Sequence, residues 1–204
     1  MTDYFALLNE PRRPWLEPDK FKQKFLALSA EVHPDRTHNA SPAEKDAAQQ
    51  RYTELNAAYR CLGDPKERLR HLLKLELGAN PKDVERIPQA LMNLFLEVSQ
   101  LCRQADALLG ERAAVTSPLL KVQLFERGQE WTDKLMALQK DLNARRETLM
   151  SELQAIDAAW DSNIESGSPN RDLFLQRLEE LYRLFSYFAR WNAQIQERII
   201  QLSF

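Results

Sequence analysis

Glycine is scarce in this chain, at 5 residues in 204, about a third of the usual ~7% share. Few tight turns are therefore expected, and no glycine-rich phosphate loop is available. Cysteine is scarcer still. Cys61 and Cys102 cannot build a disulfide framework or a four-ligand zinc site, and both read as small buried hydrophobes. Long apolar runs are lacking too: the longest charge-free one, Ile87 to Leu96, is half a membrane span. Met1-Thr2-Asp3-Tyr4-Phe5 has neither the basic nor the apolar region of a signal peptide. A protein of the reducing cytoplasm is expected, with no role at a membrane. An excess of one charge is also missing, with 28 Lys+Arg against 30 Asp+Glu. Residues 1–75 hold 13 and 11, residues 76–204 hold 15 and 19, and neither half is charged enough for a nucleic-acid surface.

What the sequence does have is helix punctuation. After Pro18-Asp19, the apolar residues Phe21, Phe25, Leu28 and Val32 step by 4, 3 and 4, one stripe of a helix. That helix should stop at His33, because the residue before Pro34 is pushed out of the α region. Ser41-Pro42-Ala43-Glu44 is a capping box with proline in the first turn. It opens a helix with the stripe Ala48, Tyr52, Leu55, Tyr59 and Leu62, which Gly63 should close. Two such stripes joined by about ten residues predict an antiparallel hairpin. Asp64-Pro65-Lys66-Glu67 starts another helix, through Leu69, Leu72, Leu73 and Leu77 to Gly78.

Ala79 to Pro88 is polar and flanked by proline, and makes the best domain boundary. Beyond it three long helices are expected. The first runs over about 89–109 and ends at Gly110. The second runs from Ser117-Pro118 to about Asp161, with a bend or break at Gly128 left open. The third runs from Asn170 to the C-terminus. No alternating Val/Ile/Thr-rich run competes as a strand. The fold class is all-α, with domains at 1–78 and 89–204 and a connector at 79–88.

The residues richest in chemistry are His33-Pro34-Asp35, between the two hairpin helices. Pro34 stiffens the loop, so less ordering entropy is lost on binding, and Asp35 is a carboxylate suited to an arginine of a partner. A rival reading makes His33, Asp35 and His38 a metal site of a hydrolase. No second ligand cluster supports it, and neither a nucleophile elbow nor a His-Glu-x-x-His helix is present.

The tripeptide has a Lys-bearing helix before it, a longer Tyr-rich helix after it and Tyr4-Phe5-Ala6-Leu7-Leu8 ahead of both. With Asn56-Ala57-Ala58-Tyr59, Leu62 and Asp64-Pro65 closing the segment, this resembles a J-domain, the module that stimulates the ATPase of Hsp70 chaperones. Arg36 stands where most members have Lys, and keeps the charge. The resemblance implies that His33, Pro34 and Asp35 dock on an Hsp70-type chaperone, that the chain is no enzyme itself, and that no cofactor is needed. Lys20 and Lys24 share one flank of the first hairpin helix and would extend that docking surface, with Glu31 diluting its charge.

No Gly/Phe-rich linker or Cys-rich zinc region follows. The whole chain instead is similar to the HscB family, J-proteins dedicated to iron–sulfur cluster assembly, with echoes in Glu67-Arg68-Leu69-Arg70-His71-Leu72-Leu73-Lys74-Leu75 and in Leu91-Met92. That resemblance implies two partners, an Hsp70 of the HscA or DnaK kind and an iron–sulfur cluster scaffold protein. Leu91, Met92 and Phe95 match the apolar part of the scaffold-binding motif, and Phe185 or Tyr187 the aromatic of the last helix. Val98 and Ser99 stand where an Arg and a Glu are expected, and the region around 105–130 is longer than usual. An alternative therefore keeps the J-domain but gives the C-terminal helices another client or a targeting role.

Overall fold

The computed structural model describes residues 2–33, 41–81, 87–161 and 170–203. Among them every regular element is helical. In order these are α1 (Tyr4–Leu7), α2 (Pro18–Glu31), α3 (Pro42–Gly63), α4 (Pro65–Leu77), a single 3₁₀ turn (Gln89–Leu91), α5 (Met92–Ala114), α6 (Pro118–Ala158) and α7 (Arg171–Ser203). The fold is the expected one, an N-terminal helical hairpin followed by three long helices.

The termini of the first helices follow their sequence signals. At the start of α3 the Ser41 hydroxyl accepts from the Glu44 amide while the Glu44 carboxylate accepts from the Ser41 amide at 2.8 Å. Asp64 caps α4 by accepting from the Glu67 amide at 2.9 Å, and Gly78 ends it in the left-handed region at φ +70°, where a Cβ would be strained.

The glycines further along behave differently. Helix α5 runs through Gly110 to Ala114, and α6 is continuous through Gly128. The expected stop at Gly110 is therefore corrected, and the question at Gly128 is answered by one helix of 41 residues. Glycine ends a helix only where the chain needs φ above zero, and neither residue adopts it. A Cβ at Gly110 would meet nothing within 4 Å. Gly110→Ala is accordingly predicted to stabilise the chain by about 0.5–1 kcal/mol, read as a rise in the urea midpoint at unchanged slope.

The chain divides into two compact units that do not follow chain order. One takes the described residues of Met1–Lys82 and Ser151–Tyr182, the other those of Asp83–Met150 and Arg183–Phe204. The residues 1–78 set apart from sequence lie wholly in the first, together with the end of α6 and the start of α7.

In the first unit α2, α1 and α4 all pack on α3, around Phe5, Leu8, Leu55, Leu62, Leu69 and Leu72, all nearly inaccessible. Arg68 is buried among them. It donates to the carbonyls of Pro14 and Leu62 and lies 5.8 Å from the centre of the Trp15 ring. Burial pushes its pKa down to about 10, which still leaves it charged at neutral pH. The end of α6 is fastened here as well. Asp157 accepts Arg13 Nε at 2.9 and 3.1 Å and the Trp15 amide at 3.1 Å, with Arg13 Nη2 completing a forked pair. Trp160, also buried, donates Nε1–H to the Arg12 carbonyl at 2.8 Å.

His71 joins α4 to α1. Its Nε2 accepts the Tyr4 amide at 3.0 Å, and its ring stacks on Tyr4 at 4.7 Å. Burial lowers its pKa first of all; the cations Arg12, Lys74 and Arg70 act in the same sense, and Asp3 acts against them. A histidine held below its unfolded pKa of about 6.5 contributes its full stability above that value and loses it as pH falls from there through the lower folded pKa. The urea midpoint of this unit should drop between pH 7 and pH 5. His71→Gln, which keeps an acceptor but does not titrate, should flatten that part of the profile.

The second unit is a three-helix bundle. Only three residues separate α5 from α6, which makes them antiparallel neighbours. Leu94, Val98, Ala105 and Leu108 of α5 meet Leu135, Leu138 and Leu142 of α6 and Phe188, Trp191 and Ile195 of α7 in one core. Arg198 to Asp106 at 2.8 Å and Arg112 to the Leu202 carbonyl at 2.8 Å tie α7 to α5.

Candidate functional sites

The first site is the tip of the α2–α3 hairpin. Phe21 and Phe25 of α2 stack on Tyr59 of α3, with centroids 5.1 and 4.0 Å apart, so the helices are locked by aromatic contact along their length. At the end of α2 the half-buried His33 meets Tyr52 of α3 edge to face at 5.5 Å. The imidazole is thus positioned by packing and not left on a free loop. Pro34 and Asp35 lie outside the described residues, as do Arg36 and His38, so the rival metal set is represented there by His33 alone. Among the described residues no three His, Cys, Asp or Glu gather to hold a metal ion.

The two lysines of the flank differ. Lys20 is exposed and makes no ion pair with the described residues. Lys24 is committed internally, donating to the Asn9 carbonyl at 2.8 Å and pairing with Glu10 at 2.8 Å. It braces the segment after α1 against α2, which competes with docking. Glu17 caps α2, and its hydrogen bonds from the Lys20 and Asp19 amides hold its carboxyl below the usual range.

The second site is on α5 and α7. Leu91 is buried in the bundle core, Phe95 is half-buried against it, and Met92 is 40% exposed. Of the two aromatics left open by sequence, Tyr187 belongs to this core, stacking on Trp191 at 5.5 Å, and Trp191 lies 6.5 Å from Phe95. Phe185 is buried but is not part of that cluster. Burial raises the Tyr187 phenol pKa. Leu96, not among the client contacts that the resemblance implies, is 54% exposed. It stands one helical turn from Met92, so Met92, Phe95 and Leu96 form the accessible apolar face, supported from beneath by Leu91, Tyr187 and Trp191. The signal was available: Leu96 is at i+4 from Met92. Val98, where a charged contact is expected, points instead into the core. Cys61 is half-buried and Cys102 buried, and burial raises both thiols, Cys61 to about 11. Both are inert.

Residues 3–71, which include the α2–α3 hairpin with His33 at the end of α2, match the DnaJ domain family. Among curated proteins, the HscB homologue co-chaperone of Bordetella pertussis is 44% identical over 70 residues, 34% of this chain and 41% of that protein. The chain therefore spans less than half the length of that relative. The HscB homologue of Bordetella avium is 39% identical over 131 residues, 61% of this chain and 78% of that one. The chain belongs to the HscB co-chaperone family. A more distant relative, the iron–sulfur cluster co-chaperone HscB homologue of Arabidopsis thaliana, is 25% identical over 135 residues, 66% of this chain and 51% of that one. The fold is also that of the chaperone HscB from Vibrio cholerae, with a TM-score of 0.60 at 19% identity over 98% of this chain and 99% of that structure. No helix among the described residues is long and apolar enough to cross a membrane.

Proposed function

We propose that this chain is a cytoplasmic co-chaperone that stimulates the ATPase of an Hsp70 and delivers to it an iron–sulfur cluster scaffold protein. In this reading residues 1–78 act as the J-domain, residues 79–88 connect, and residues 89–204 carry the client. The observation that supports it best is the placement of His33: a hairpin welded by Phe21, Phe25 and Tyr59 presents the imidazole at its turn, against Tyr52. Pro34 and Asp35 follow it directly, and Lys20, in the first turn of α2 and about 20 Å along the helix from His33, adds an accessible positive charge to the same hairpin for steering. The chain supplies no chemistry of its own and acts by binding the partner whose bound ATP is hydrolysed.

The client surface in this reading is Met92, Phe95 and Leu96, with Leu91 and Tyr187 holding the face from below. The likeness to the iron–sulfur cluster co-chaperone of Arabidopsis supports an iron–sulfur client. The burial of Val98, where a charged client contact is expected, favours the second reading, a J-protein with another client.

Steady-state ATPase measurements with the Hsp70 of the same organism test the proposal. Stimulation by the wild-type chain should fall to near the basal rate with His33→Gln, a change that removes the imidazole and keeps the fold. Undiminished stimulation would refute the J-domain assignment.

A further inference from the structure

Where α1 meets α4, the first unit has a cavity of about 370 Å³ that the co-chaperone reading does not use. Among the described residues its polar lining is Thr2, Tyr4, Arg70, His71, Lys74 and Asn80, with two cations and no carboxylate. Arg70 gives one Nη to Glu67 outside the cavity, which leaves further N–H donors on its guanidinium. Lys74 makes no ion pair with the described residues.

His71 sharpens the chemistry. Its Nε2 accepts the Tyr4 amide, and a neutral imidazole that accepts at one nitrogen donates from the other. Its proton is therefore on Nδ1. That nitrogen has no hydrogen-bond partner among the described residues and is not fully buried, so it donates toward solvent. Thr2 and Tyr4 add hydroxyls and Asn80 an amide. Cys61 also lines the cavity, but its thiol faces the Glu67 carbonyl at 3.6 Å and stays protonated. It contributes neither charge nor nucleophile, so the cavity can bind but not react.

A concave set of donors with two cations, and no carboxylate among the described residues that line it, is complementary to a compact anion with several acceptor oxygens. We infer that this cavity is a binding site for a small phosphate-class oxyanion, held by Arg70 and Lys74 and oriented by His71 Nδ1–H. Two cations with several further donors match the larger charge and acceptor count of a diphosphate better than those of a single phosphate.

NMR titration of the full ¹⁵N-labelled chain tests this with inorganic phosphate and pyrophosphate as probes, and with sodium chloride at matched ionic strength as the control. The His71 ring nitrogens and the Asn80 side-chain amide should shift saturably, pyrophosphate at lower concentration than phosphate. Lys74→Gln, which breaks no ion pair, and Arg70→Gln/Lys74→Gln should weaken binding about tenfold or more while the α4 amide signals stay native. Shifts that track ionic strength alone, or that persist undiminished in both variants, would overturn the assignment.

Discussion

Trp160→Ala is expected to destabilise the N-terminal unit by about 3–5 kcal/mol, although residue 160 lies more than eighty residues beyond the end of α4. The indole is 1% exposed and its N–H is satisfied by the Arg12 carbonyl. Truncation removes a large apolar surface and strands a carbonyl. Asp157→Ala should add to the picture with a smaller loss of about 2–3 kcal/mol, since it leaves Arg13 and the Trp15 amide without their acceptor. Arg13 is partly exposed and can rehydrate, which keeps the cost below that of a fully buried pair. Urea unfolding of the full chain, followed through the amides of α1 and α4, reads both. If Trp160→Ala moved only the bundle signals and left these amides unchanged, the end of α6 would not belong to the J-domain unit.

The second large effect is on client binding. Met92→Glu/Leu96→Glu places two carboxylates on the accessible apolar face of α5, and should weaken binding of the scaffold protein at least about a hundredfold, close to 3 kcal/mol. The fold should survive, because both side chains project outward. Leu91→Ala makes the opposite case: as a core residue it should cost about 2–5 kcal/mol of bundle stability, with affinity lost only as the fold is lost. Calorimetric titration beside urea unfolding separates the two. Equal affinity for the double variant and wild type would remove this face as the client surface.

Much of this was legible in local chemistry. The capping box at Ser41, the left-handed Gly78 and the matched stripes of α2 and α3 are each decided within a few residues. Gly110 misled because a helix runs through glycine wherever φ stays negative, and Gly128, left open from sequence, is decided by its neighbours. Arg112 and the Leu202 carbonyl lie 3.7 Å from where a Gly128 Cβ would be, a setting no local pattern contains. The apolar face of α5 failed in a related way. Spacing shows which residues share a side of a helix, but not which side α7 covers, so sequence alone does not separate buried Leu91 from exposed Met92 and Leu96. The fastening of Asp157 and Trp160 to Arg13 and Arg12 spans 144 and 148 residues, and had no sequence signature at all.

The account rests on one chain engaging an Hsp70 through His33 and a scaffold protein through α5. The most direct test is the Hsp70 ATPase rate with scaffold alone, with this chain alone, and with both. The two together should exceed the sum of their separate effects. His33→Gln should abolish stimulation without changing scaffold affinity, and Met92→Glu/Leu96→Glu should abolish only the excess. Simple additivity with the wild-type chain, or loss of both activities from either variant while the fold is intact, would contradict it.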